Sequence, residues 1–222
     1  MTAVFSTIAA VVLDMDGVLI DSEQIWDEVR EQLARERGGR WHERAQADMM
    51  GMSSTEWSGY MHDVIGLAEP PEEINAEVVR RLHARYRESL PLMPGAVEAV
   101  DRLAAQWPLG LASSSNREVI DAVLELAGIA HHFRATVSSE EVEHGKPAPD
   151  VYLEAARRLG VDPTSCAAVE DSANGIRSAR AAGTRVIAIP NPYYAPSDDV
   201  LALADVVLHS LDELTPERVS AS

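Results

Sequence analysis

The sequence predicts an α/β fold, a parallel sheet covered by helices with a small α-helical domain inserted near its start. Short apolar runs alternate with amphipathic helical patterns after residue 90, the first apolar run of the chain ends on two aspartates, and residues 22 to 90 contain no strand-like run. With 222 residues, 46% of them hydrophobic, the chain can bury a full core, which allows one large domain or one domain with a smaller insert.

The elements follow in order. Ile8-Ala9-Ala10-Val11-Val12-Leu13 is continuously apolar, the pattern of a central parallel strand covered on both faces. Asp14 and Asp16 then fall at its carboxyl end, where open α/β sheets bind ligands, although an Asp-Gly pair before Val18 also fits an ordinary turn. Residues 22 to 90 read as three helices. Ile25, Trp26, Val29 and Leu33 make the first apolar stripe; Ser53 and Glu56 form a capping-box pair ahead of Trp57, Met61 and Val64; Pro71 opens a third helix carrying Ile74, Val78, Leu82 and Tyr86. Gly38-Gly39 and the stretch from Gly66 to Pro71 are the turns between them. The expected division is a core of residues 1–21 and 91–222 and a helical insertion of residues 22–90.

Beyond the insertion, Pro94-Gly95 precede a helix over Ala96 to Gln106, and Leu109 to Ala112 is a strand. Asn116 is the expected N-cap of a helix over Val119 to Leu126, with Gly128 just past its end. A helix from Pro149 to Leu159 stops at Gly160; Cys166 to Val169 and Arg185 to Ile189 are strands flanking a helix from Ala173 to Ala182. Asn191 to Pro196 is expected to be an irregular surface loop.

Charge narrows the partners. Nineteen Lys and Arg against 36 Asp and Glu give a formal net charge of −17, which repels nucleic acid and anionic membranes, and no basic cluster offsets it. A small anionic substrate stays compatible, because a metal ion and one lysine can reverse the field inside a pocket. The single cysteine, Cys166, excludes an intramolecular disulfide and reads as a core residue of a protein in a reducing compartment. The N-terminus lacks a basic segment, and its apolar run is too short for a signal peptide or a membrane span. A cytoplasmic monomer or homodimer with no nucleic-acid or membrane partner is therefore expected.

The ends of the later runs carry Ser113, Lys146 within Gly145-Lys146-Pro147, and the pair Glu170-Asp171. Each has a plain role on its own: Ser113 as a turn serine, Lys146 as a solvated loop lysine, Asp171 as the N-cap of the following helix. Together with Asp14 and Asp16 they supply hard oxygen donors, a hydroxyl and a lysine, which suits a hydrated Mg²⁺ beside a phosphate dianion.

This joint pattern resembles the haloacid dehalogenase (HAD) superfamily, whose phosphotransferases carry Asp-x-Asp-Gly-[Thr/Val], a Ser/Thr, a Lys and a paired acid in that order, and the match spans nearly the whole chain. The resemblance implies a HAD-like, Rossmann-like parallel sheet core with an inserted helical cap that closes over the site and supplies substrate contacts. By the same resemblance Asp14 would be the nucleophile that forms an aspartyl-phosphate. Asp16 would be the acid that protonates the leaving alcohol and then the base that activates water. Ser113 would hydrogen-bond the phosphoryl oxygens, Lys146 would neutralise Asp14 and the phosphate, and Ser114 and Asn116 would also reach the phosphate. Asp14, Asp171 and the Asp16 main-chain carbonyl would hold Mg²⁺, with Glu170 acting on it through water. The need for two acids also follows from chemistry alone: a carboxylate that attacks phosphorus cannot protonate its own leaving group, which departs on the opposite side.

Within the superfamily, Asp16 favours phosphoryl transfer over carbon–halogen cleavage. Asp16-Gly17-Val18-Leu19-Ile20-Asp21-Ser22-Glu23, Gly145-Lys146-Pro147-Ala148-Pro149-Asp150 and Val169-Glu170-Asp171-Ser172-Ala173-Asn174-Gly175 resemble segments of sugar-phosphate phosphatases and β-phosphoglucomutases. The mutase uses a histidine, a lysine and an arginine of its cap, and those positions fall here on Trp26, Met50 and Ser54, so no cationic clamp for a second phosphate is expected. The stretch from Asp21 to Trp26 resembles 2-deoxyglucose-6-phosphate phosphatases. A Mg²⁺-dependent phosphatase acting on a sugar or polyol phosphate is the expected function; a phosphosugar mutase is the alternative, and a phosphoacceptor signalling domain, shorter and without a cap, a remote one. Met50, Met52, Ser53, Trp57 and Trp26 are candidate pocket residues, each of which also fits a core or loop position.

Overall fold

The computed structural model describes residues 7–50, 52–191 and 195–220. Its strands are β1 (Ala10–Leu13), β2 (Leu109–Ser113), β3 (Phe133–Ser138), β4 (Cys166–Glu170), β5 (Arg185–Ala188) and β6 (Val206–Val207), and all pair in parallel in the order β3-β2-β1-β4-β5-β6. The chain passes from β1 outward to β2 and β3, then returns across β1 to β4. The order therefore reverses at β1, and such a switch point opens a crevice at the carboxyl ends of the strands. Register brings those ends level, since Leu13 pairs with both Leu111 and Val169.

The four strands expected from sequence are present. β3 and β6 escaped notice for a physical reason: both are edge strands, β3 carries the exposed Arg134 and half-buried Thr136, and β6 has only two residues. Neither needs the continuous apolar run that marks a strand covered on both faces.

Between β1 and β2 lie α1 (Glu23–Glu36), α2 (Ala45–Met49), α3 (Ser54–Tyr60), a π-helical turn (Met61–Ile65), α4 (Pro71–Glu88) and α5 (Ala96–Ala104). The expected capping box of α3 is present, with Ser53 and Glu56 bonding reciprocally. Val64 was expected on the buried stripe but is 46% exposed, because the wider π turn rotates the following residues and puts Ile65 inward instead. After β2 come α6 (Arg117–Leu126), α7 (Asp150–Leu159) and α8 (Ala173–Ala181). Asn116 does occupy the N-cap position of α6, yet its side chain makes no capping bond and turns elsewhere. Asp171 is not a cap: Ser172 caps α8 by accepting from the Gly175 N–H.

Alternation along β1 splits the core. Val11 and Leu13 face an apolar cluster shared with α1, α3, α4, α5 and α6, while Ala10 and Val12 face a second cluster with α7 and α8. The insertion is thus packed onto one side of the sheet through a shared apolar core. In the segment expected as a surface loop, residues 192–194 lie outside the described residues, and the buried Asn191 and Pro196 anchor its two ends. Among the described residues no helix is long and apolar enough to cross a membrane.

Candidate active site

The site starts where β1 stops. The Asp14 N–H donates to the Val169 carbonyl at 3.0 Å, which continues the sheet one step and places Asp14 beside the Glu170-Asp171 pair. The chain then turns sharply: the Met15 carbonyl accepts from Leu19 and Ile20 at 2.8 and 3.1 Å. Gly17 sits at φ +80° with Asp171 pressed against it, so that a Cβ there would lie 1.9 Å from Asp171 Oδ2. Only glycine meets both conditions.

Lys146 comes from the loop between β3 and α7, not from a strand end as its motif suggested. Its side chain is 3% exposed, and its Nζ donates to Asp14 Oδ1 (2.8 Å), Glu170 Oε1 (2.6 Å) and the Ala112 carbonyl (2.9 Å). All three donors of the ammonium are used. Glu170 is held further by the Tyr152 hydroxyl, which donates to Oε1 at 2.6 Å, while Oε2 accepts from the Asp171 N–H and Ser172 hydroxyl.

Asp16 points to the other side. Its Oδ1 accepts from the Ser22 hydroxyl (2.5 Å) and the Trp26 indole N–H (3.3 Å), and its Oδ2 from the Ser115 (2.7 Å) and Ser113 (3.4 Å) hydroxyls. The two neighbouring acids are separately aimed and separately supported. Ser113 is fully buried and also accepts from the Ser115 N–H at 3.0 Å, so it shapes the loop in which Ser114 reaches the cavity.

One lysine does not balance three buried carboxylates. Burial and the neighbouring Glu170 push Asp14 up to about 8 against the opposing pull of Lys146, and burial with Asp14 and Glu170 pushes Asp171 well above the carboxylate range. Burial disfavours the charge of Lys146, but Asp14 and Glu170 outweigh it and hold its pKa above that of an ordinary lysine. Oxygens of Asp14, Glu170 and Asp171 lie within 4.8 Å of one another, and Asp171 Oδ1 is buried without a partner. A hard divalent cation fits this donor set, satisfying the orphaned oxygen and the excess negative charge together. Cys166 takes no part: it is buried in β4, and burial raises its thiol to about 11.

These groups open into a cavity of about 370 Å³, with Asp14, Asp16, Ser114, Lys146 and Asp171 on one side and Glu23, Trp26, Arg30, Met50, Met52 and Trp57 of the insertion on the other. Four of the five pocket candidates therefore line it, whereas Ser53 caps α3 and is absent from its wall. Asn116 lies behind it. Its amide donates to Asn75 Oδ1 (3.1 Å) and Glu140 Oε1 (2.8 Å), and Glu140 also accepts from the Ser54 hydroxyl (2.9 Å) and the Arg117 N–H (3.0 Å). This cluster ties the insertion to the sheet at the cavity edge. Glu140→Ala leaves these donors without their acceptor and is expected to cost about 1–3 kcal/mol, measured by denaturant unfolding; unchanged stability would show that the tie contributes nothing.

Sequence reasoning missed Ser22, Ser115, Tyr152, Glu23 and Arg30. Ser115 lay in a run of three serines that gives no sign of which one faces Asp16, and Tyr152 occupies an apolar position on α7. The resemblance over residues 21–26 did carry a signal for Ser22, Glu23 and Trp26. Arg30 adds a cation that the comparison of positions did not cover: Trp26, Met50 and Ser54 are uncharged, and the arginine stands one turn beyond Trp26 along α1.

Comparison with known proteins agrees with this geometry. A family model for haloacid dehalogenase-like hydrolases matches residues 8–183. Hexitol phosphatase B of Escherichia coli (strain K12) is 37% identical over 94% of this chain and 95% of its own. A fructose-1-phosphate phosphatase of the same organism is 28% identical over 79% of this chain and 93% of its own. Among solved structures, CbbY from Rhodobacter sphaeroides in complex with phosphate superposes with a TM-score of 0.83 at 26% identity, covering 93% of this chain and 96% of that one. The chain is an enzyme of the haloacid dehalogenase-like hydrolase family and groups with its phosphomonoester phosphatases.

Proposed function

We propose that this enzyme is a Mg²⁺-dependent phosphatase that hydrolyses a small phosphomonoester, a sugar or polyol phosphate, through an aspartyl-phosphate on Asp14. The observation that carries the reading is the lysine-bridged acid cluster at the end of β1, with Asp16 aimed separately beside it. The names of the relatives support the substrate class.

Asp14, Asp171 and the Asp16 main-chain carbonyl would hold Mg²⁺, with Glu170 supporting them from behind. When bound, the ion supplies positive charge against the phosphoryl oxygens. Lys146 adds charge on the opposite side, and Ser114 lies on the cavity wall where it reaches the phosphoryl group, in a loop shaped by the buried Ser113 and by Asn116 behind it. A carboxylate oxygen of Asp14 attacks phosphorus, the ester P–O bond breaks, and Asp16 gives its proton to the departing alkoxide. Asp16 then takes a proton from water, whose oxygen attacks the same phosphorus, breaking the bond to Asp14 and releasing inorganic phosphate. General acid catalysis contributes roughly 10² to 10⁴ of accelerations that reach about 10²¹ for such esters, so fixed charge around the phosphoryl group must lower most of the barrier. The helices of residues 22–90 serve as a cap that covers the cavity and excludes water.

A mutase is less well supported. Among the described residues lining the cavity, Arg30 and Lys146 alone are cationic, Trp26 is bonded to Asp16, and Ser54 is bonded to Glu140. Phosphate release from a panel of hexose, pentose, polyol and glycolate phosphates with Mg²⁺ tests the proposal, and no release from any of them would defeat it.

The metal site has its own test. Mg²⁺ is expected to raise the melting temperature, by more at pH 8 than at pH 6 because protons compete for the raised Asp14 and Asp171 carboxylates. Asp171→Asn should remove that shift. A shift of wild-type size in the variant would take Asp171 out of the site.

A further inference from the structure

We propose that Glu23 and Arg30 of α1 determine specificity by binding the hydroxyls of a neutral, polyhydric tail on the substrate, with the Trp26 and Trp57 rings carrying its C–H face. The inference rests on the phosphatase reading and deepens it.

Glu23, Trp26 and Arg30 stand at positions i, i+3 and i+7 of one helix and all line the cavity. A rise of about 1.5 Å per residue spreads them over roughly 10 Å of helix axis. The near end of this face is pinned to the reaction centre, since Ser22 and Trp26 both donate to Asp16. A phosphate held at Asp14 and Lys146 therefore leaves its organic part lying along α1.

The chemistry of that face is unusual for a buried wall. Arg30 is 8% exposed, its guanidinium carbon lies 4.6 Å from the Trp26 ring centroid and 4.8 Å from that of Trp57, and it makes no hydrogen bond or ion pair with any described residue. Glu23 likewise makes no hydrogen bond to a described residue. Burial lowers Arg30 to about 10, which leaves it charged at neutral pH; Glu23 and Asp27 oppose that shift. A buried arginine and a half-buried glutamate without hydrogen bonds to the described residues are costly unless something else occupies their donors and acceptors. Vicinal hydroxyls donate and accept at once, so one sugar or polyol segment satisfies the guanidinium and the carboxylate together. Indole rings suit the remaining C–H surface.

A second anionic group fits poorly. Glu23, Asp16 and Asp27 already surround Arg30 with negative charge, so a distal phosphate or carboxylate would meet repulsion as well as attraction.

Steady-state kinetics with a hexitol monophosphate, a hexose bisphosphate and phenyl phosphate, which lacks hydroxyls, test this. Arg30→Met, which keeps the aliphatic stem packed against the rings, and Glu23→Gln are each expected to lower the ratio of kcat/KM for the hexitol ester over phenyl phosphate by about ten- to a hundred-fold. The loss should fall mainly on KM. Wild type should prefer the monophosphate to the bisphosphate. An unchanged ratio in both variants would overturn the proposal, and so would a preference for the bisphosphate that Arg30→Met abolishes. If Arg30→Met does not fold, Glu23→Gln decides alone. Wild-type protein that releases phosphate from none of the three would overturn the phosphatase reading itself, a failure visible without any variant.

Discussion

Asp14→Asn is expected to lower kcat/KM by at least about 10⁴-fold, the scale seen when a covalent nucleophile is removed. The substitution keeps the shape of the side chain and an oxygen for Lys146 but takes away the anion proposed to attack phosphorus. Stability should not fall with activity. Asp14 is one of three buried carboxylates facing a single ammonium, and its raised pKa, about 8, means that its charge is held there at a cost. Phosphate release together with a melting curve separates the two effects: an inactive but folded variant agrees with the assignment, and a variant with wild-type turnover removes Asp14 from it.

Lys146→Met should have the largest effect on the fold. The ammonium is the shared partner of Asp14 and Glu170, and it also satisfies the Ala112 carbonyl in the interior of the molecule. Removing it leaves two buried carboxylates without a counter-charge, a change expected to cost about 3–5 kcal/mol near neutral pH. The sign of its pH dependence follows from linkage. A carboxylate whose folded pKa is raised contributes stability below its unfolded pKa and loses it as pH rises through the folded value. Loss of Lys146 raises Asp14 above its value of about 8, so the deficit relative to wild type should grow as pH rises through 8 and be greater at about pH 9.5 than at about pH 6. Denaturant unfolding at the two pH values measures it. A deficit independent of pH would mean that packing, not charge, accounts for the loss.

Much of the architecture could be read before any coordinates because central strands and helix stripes leave strong marks. The run from Ile8 to Leu13 is apolar throughout since both faces of β1 are covered, and Gly160 follows α7 because a helix C-terminus favours a residue with positive φ. Edge strands leave weaker marks, which is why β3 and β6 were missed. At the site, residues that keep a fixed place in a local motif were legible: Asp14, Asp16, Lys146, Glu170 and Asp171 all converge at the switch point. What stayed hidden depends on long-range convergence. Ser115 reaches Asp16 across 99 positions, Glu140 joins Ser54 across 86, and Arg30 reads as one more charged residue on an amphipathic helix until the cavity is seen. Asn116 shows the converse, since a residue type suited to capping was used instead to hold Glu140 and Asn75.

A covalent phosphoryl group on Asp14 is the centre of this account, and trapping it is the most direct measurement. Wild-type enzyme mixed with a sugar phosphate and Mg²⁺, quenched in acid during turnover and reduced with borohydride, should carry homoserine in place of Asp14 when its peptides are examined by mass spectrometry. Unmodified Asp14 in samples that are releasing phosphate, or reduction at a different carboxylate, would contradict it.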